Sequence, residues 1–117
     1  MRTILAALLL TTGIAQASAV EGKLVLYTSQ PNTDAQQTVD AFMAKYPDVT
    51  VEWVRDGTPK VMAKLAAEFE AGQPQPDVLL IADIVTMEGL KADGRLLAFP
   101  EAGIAGIDEA LVDADRT

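Results

Sequence analysis

The sequence predicts an α/β fold: a parallel βαβαβα layer with helices on the faces of its sheet. Three observations carry this. Short apolar runs rich in strand formers alternate with segments whose apolar residues recur at helical spacing. Each helical segment is long enough to carry the chain back for a parallel crossover. Turn and cap residues stand at the junctions.

The first strand is expected over Lys23 to Thr28, whose "LVLY" is a continuous apolar run. Such a run suits a central strand buried on both faces. From Asp34 to Tyr46, Ala35, Val39, Phe42, Met43 and Tyr46 form one stripe of a helix that Pro47 stops. Thr33 and Gln36 have capping-box spacing at its start. Val49 to Arg55, "VTVEWVR", sets Val49, Val51 and Trp53 on one face against Thr50 and Glu52, a pattern nearer a sheet edge.

Asp56-Gly57-Thr58-Pro59 is a turn and a helix start, with Thr58 as cap and Pro59 first in the helix. Met62, Leu65, Ala66 and Phe69 are the expected buried stripe, Gly72 ends the helix, and "GQPQP" is a loop. Asp77 to Ala82, "DVLLIA", repeats the buried-strand signature. Asp83 or Thr86 then caps a short helix through Met87 and Leu90 that stops at Gly94. Beyond Phe99-Pro100 the pattern weakens, with one helical turn expected around Asp108 to Val112.

Composition narrows the function. The 117 residues contain no histidine and no cysteine, which excludes histidine-based metal sites, histidine triads and thiol chemistry. A net charge of -8 with scattered basic residues is a poor match for nucleic acid. Residues 1–19 fit a secretory leader: Arg2 is the positive region, Ile4 to Leu10 the apolar region, and Ala17-Ser18-Ala19 the cleavage pattern. The apolar run is about half the ~20 residues a spanning helix needs. Export to the periplasm is therefore expected, with residues 20–117 as one small α/β domain. Three strands make a thin layer, so the domain is expected to be part of a larger lobe.

Ligands of parallel sheets bind beyond the carboxyl ends of the strands. Three segments are expected there: Thr28 to Thr33, Arg55 to Thr58, and Ala82 to Thr86. Thr28, Ser29 and Gln30 bring hydrogen-bonding side chains next to a helix start, which favours an anion. Arg55, Asp56, Gly57 and Thr58 bring a cation, a carboxylate and a glycine that admits close backbone approach. Asp83 follows Ala82 at the third strand end. Each group has a plainer alternative. Ser29 and Gln30 suit a turn, Arg55 and Asp56 suit a local ion pair, and Asp83 suits a helix cap. No nucleophile stands beside a base, and "GTPK" lacks the features of a phosphate-binding P-loop, so no catalytic residue is expected.

With its leader, the strand "LVLYTSQ", the "RDGT" turn and the strand end "DVLLIAD", the chain resembles the opening lobe of periplasmic solute-binding proteins of bacterial ABC importers. The branch it resembles contains the ferric-iron, phosphonate and sugar-phosphate binders. The similarity runs from Lys23 to about Pro100. It implies the N-terminal part of lobe 1 of a two-lobed, type II binding-protein fold that closes on its ligand and presents it to a permease in the inner membrane. It also implies that Thr28, Ser29, Gln30, Arg55, Gly57, Thr58, Ala82 and Asp83 face the cleft.

The implied ligand is ferric iron or a small phosphorylated or phosphonate-type anion, with no cofactor. Iron-binding members commonly use tyrosines of the opposite lobe, and some use a first-loop histidine. Gln30-Pro31 stands in that place here, which excludes the histidine route and leaves a histidine-free iron site or a polyatomic anion. The alternatives are a fragment of a secreted hydrolase-type enzyme or a non-binding truncation product. Nothing in the sequence specifies an oligomeric state.

Overall fold

The structure is a computed structural model that describes residues 20–117. The leader read from residues 1–19 lies outside the described residues. The elements run β1 (Gly22–Thr28), α1 (Asn32–Lys45), β2 (Val49–Arg55), α2 (Thr58–Glu70), β3 (Val78–Leu80) and α3 (Ile84–Ala92), followed by one 3-10 turn (Glu109–Leu111). None of the described helices is long and apolar enough to cross a membrane.

The strands form one parallel sheet in the order β2-β1-β3. The α/β class and parallel sheet are as expected, and β1 is central. β1 pairs with β2 along its whole length, from Gly22 opposite Val49 to Thr28 opposite Arg55. With β3 it pairs only from Leu26 opposite Val78 to Thr28 opposite Leu80. The Asp77 carboxylate lengthens that short ladder by accepting the Val25 amide at 2.8 Å, while the Asp77 amide donates to Val25 O at 2.9 Å.

Strand alternation sorts the helices to opposite faces. Leu24, Leu26 and Val51 share an apolar hollow with Val39 and Phe42 of α1. Tyr27 points the other way, where its hydroxyl donates to Glu68 of α2 at 2.7 Å. The core is small: Leu26, Ala35, Val39 and Val49 on the first face, and Tyr27, Val61 and Leu65 on the second. Full burial of a side chain such as Val61 or Leu65 contributes roughly 1.5–3 kcal/mol.

Four local expectations are corrected. The Thr33–Gln36 capping box does not form. Pro31, in extended backbone at φ -53° and ψ 147°, holds the position before the helix, so Thr33 falls inside the first turn. Gln36 instead donates to Asp40 at 2.8 Å. Likewise Gly57, not Thr58, precedes α2, and Thr58 occupies its first position with Pro59 second. Pro59 is tolerated there because early helix amides lack intrahelical acceptors in any case.

The buried face of α2 is Val61 and Leu65, whereas Met62, Ala66 and Phe69 join Leu65 along a groove of about 490 Å³ facing Gly89 and Leu90 of α3. Arg95 lies over the Phe69 ring at 4.4 Å. Finally, β3 is a short edge strand rather than a buried one, with Val78 43% and Leu80 37% exposed. It has a neighbour on one side only, so its apolar residues gain little cover.

The helix ends follow the sequence. α2 and α3 both finish on a left-handed glycine, Gly72 at φ 68° and Gly94 at φ 66°. In each case the glycine amide and the next one turn back onto the last helical turn: Gly72 and Gln73 bond Phe69 O and Glu68 O, and Gly94 and Arg95 bond Lys91 O and Leu90 O. That is the Schellman arrangement.

Candidate functional site at the carboxyl edge of the sheet

In a parallel layer every strand delivers its end, and every following helix its start, to the same edge. Thr28, Arg55 and Leu80 stand in register across the three strands, so the loops after them begin side by side. From β1 to β2 the chain steps one way, and from β2 to β3 it crosses over β1 to the other side. The β1 and β3 ends therefore flank the topological switch point, where sheets of this kind hold their ligands.

Backbone and side chains tie the β1 and β3 loops together. The Ser29 amide donates to Leu80 O at 3.1 Å, and the Ala82 amide donates to Ser29 Oγ at 3.0 Å. Thr28 is fully buried. Its hydroxyl donates to Leu80 O at 2.9 Å and accepts the Gln30 amide at 3.1 Å. Thr28 thus shapes the loop from beneath, and Ser29 and Gln30 are the half-buried residues above it.

The β2 loop is joined more lightly. The Asp56 amide donates to Thr28 O at 3.3 Å, and Arg55 Nε donates to Gln30 O at 2.6 Å. The local Arg55–Asp56 ion pair is absent: Asp56 accepts the Gly57 amide at 2.7 Å and pairs with Lys60 at 3.6 Å. Among the described residues no carboxylate pairs with Arg55, which is exposed and reaches across the edge to the first loop. Gly57 is exposed and Thr58 half-buried at the start of α2.

Asp83 caps α3. Its carboxylate accepts the Val85 amide at 3.1 Å and the Thr86 hydroxyl. The Thr86 hydroxyl, and after it the Val85 amide, hold the carboxyl below the usual aspartate range. The eight expected site residues thus converge on one edge, but Thr28 and Asp83 have their polar groups engaged within the protein. Sequence patterns did not reveal the Leu80 carbonyl, which accepts from both Thr28 and Ser29 and joins two loops. A main-chain acceptor leaves no mark on residue type. Among the described residues no group of three or more acidic side chains is placed to hold a metal ion.

A second polar cluster lies on the α2 face. Tyr27 and Lys64 both reach Glu68 Oε1 at 2.7 Å, the Gln75 amide donates to Oε2 at 3.1 Å, and Lys64 lies over the Tyr27 ring at 5.4 Å. Burial alone would raise the Glu68 carboxyl. The donors from Lys64, Tyr27 and Gln75 outweigh it and hold the group below its ordinary range. Burial, and then donation to Glu68, raises the Tyr27 phenol.

No curated protein and no solved structure matches the chain. The family model for bacterial extracellular solute-binding proteins matches residues 28–116, from the end of β1 through α3 and the segment after it. With three strand ends meeting at one edge of a parallel sheet, and a family match over most of its length, the chain belongs to the bacterial extracellular solute-binding proteins.

Proposed function

We propose that the carboxyl edge of the sheet is one wall of a solute cleft, and that its solute is a small phosphorylated or phosphonate-type anion taken up in the periplasm for an inner-membrane ABC importer. The family's role is to capture a solute outside the cytoplasm and deliver it to a permease, which is binding rather than catalysis. The supporting observation is the row Thr28–Arg55–Leu80, from which all three loops leave together.

The chemistry of the edge favours an anion. Three helices begin there, and helix starts present unpaired amides and positive dipole ends. Arg55 supplies the nearby cation, and the local carboxylates are occupied, Asp56 with Lys60 and Gly57, and Asp83 with α3. Ferric iron, the other ligand in view, calls for hard anionic ligands that this wall does not offer free.

The test is thermal unfolding of the whole chain with inorganic phosphate, glycerol 3-phosphate or ferric citrate. A phosphorylated anion should raise the melting temperature; a site filled at 100 times Kd stabilises by about 2.7 kcal/mol. The Arg55→Met variant should lose that rise. A rise with ferric citrate alone would replace the anion by iron, and a rise that survives in Arg55→Met would move the site elsewhere.

A further inference from the structure

We propose that Gln30 determines specificity at this edge by selecting a solute that carries an O–H or N–H donor. The inference rests on the solute-binding reading above and narrows it. Its observation is the Gln30 side-chain carbonyl: Oε1 is buried and accepts no hydrogen bond, the sole buried side-chain polar atom so placed among the described residues.

The main chain of Gln30 is engaged on both sides. Its amide donates to Thr28 Oγ1 at 3.1 Å, and its main-chain carbonyl accepts Arg55 Nε at 2.6 Å. The backbone is thereby fixed at the switch point between β1 and β3, while the half-buried side chain keeps its own torsions. A buried carbonyl without a donor is an unfavourable state, and most such atoms in folded proteins are paired. The neighbouring polar groups do not relieve it: the Thr28 hydroxyl donates to Leu80 O, the Asp83 carboxylate is an acceptor, and Ser29 Oγ, which accepts the Ala82 amide, does not donate to it.

Among small anions, what relieves a carbonyl must bring a proton. A fully deprotonated oxyanion presents acceptors only. A solute with a hydroxyl or ammonium group offers the missing donor when the carboxamide turns toward the loop mouth. A donor-bearing solute pairs the turned carbonyl, whereas a solute without a donor displaces water from the loop mouth and leaves the carbonyl unpaired. That difference is what discriminates between the two solutes.

The experiment compares matched anions on the whole chain: glycerol 3-phosphate, with hydroxyls; 3-aminopropyl phosphate, with an ammonium; and propyl phosphate, with neither. The wild type should bind at least one donor-bearing anion about five- to tenfold more tightly than propyl phosphate, the effect of one hydrogen bond. Gln30→Met, similar in length and free of the carbonyl, should erase that preference. Without solute it should melt no lower than the wild type. Equal binding of all three anions by the wild type, a preference that survives in Gln30→Met, or a lower melting temperature of the unliganded variant would each overturn the role of Gln30. Binding of propyl phosphate and inorganic phosphate without donor preference would leave the anion site standing. If none of the four anions binds, the site reading falls and this inference with it.

Discussion

Tyr27 and Thr28 are neighbours on the central strand, both fully buried, each with its hydroxyl hydrogen-bonded, yet they serve opposite sides of the molecule. Tyr27 fills the α2 face beside Val61 and Leu65, and its hydroxyl ends in the Glu68–Lys64 cluster. Thr28 lies at the strand end, where its hydroxyl joins Leu80 to Gln30 and so sets the shape of the proposed cleft wall. Because successive side chains of a strand point to opposite faces, one residue step separates a position that holds the fold from one that holds the site. Burial alone does not distinguish them; the partners do.

A substitution at Tyr27 should cost the most. Tyr27→Ala removes a fully buried ring, and truncating a large buried aromatic costs about 3–5 kcal/mol. Urea unfolding should show the loss. A much smaller cost would mean that α2 rests on Val61 and Leu65 alone. Thr28→Val comes next. It keeps the side-chain shape but removes the acceptor of the Gln30 amide, at roughly 1–3 kcal/mol for a buried group left unpaired. Leu80 O keeps its bond from the Ser29 amide, which places the cost at the lower end. Thr28→Val should therefore reduce the stabilisation by phosphorylated anions far more, relative to its cost in stability, than Tyr27→Ala does. Equal ratios for the two variants would dissolve the distinction between the faces.

Much of the fold was legible because it rests on periodicity and punctuation. "LVLY" read as the central strand, "VTVEWVR" as an edge, and Gly72 and Gly94 as helix ends, since a left-handed turn leaves few alternatives to glycine. The helix starts were less legible. Thr33 and Thr58 have capping chemistry, but Pro31 and Gly57 set the chain direction one or two residues earlier. "DVLLIA" has the composition of a buried strand, yet burial depends on what lies beside it, and β3 has β1 on one side only. At the candidate site the grouping of the three loops followed from topology. The division of labour within it did not: whether Thr28 faces outward or lies beneath the loop depends on the register with Leu80, which no local pattern encodes.

A weaker dependence enters on the Tyr27 side through pH. The Glu68 carboxyl is held below its ordinary range in the folded chain, so the unfolded chain binds its proton more readily. Stability from this group is therefore fully present above the unfolded carboxyl value of about 4.3 and is lost as pH falls through the lower folded value. Lys64 and Tyr27 both reach Glu68 Oε1, so protonation weakens an ion pair and removes the charge that strengthens the Tyr27 hydrogen bond. Glu68→Gln keeps an acceptor for Tyr27 but has no carboxyl to protonate. Chemical denaturation on both sides of that range should show the wild type losing more stability on acidification than Glu68→Gln, with the gap closing at the acid end. Parallel pH profiles would show that the cluster holds Tyr27 by packing and neutral hydrogen bonding alone. The contrast between Tyr27 and Thr28 would then rest on geometry rather than on charge.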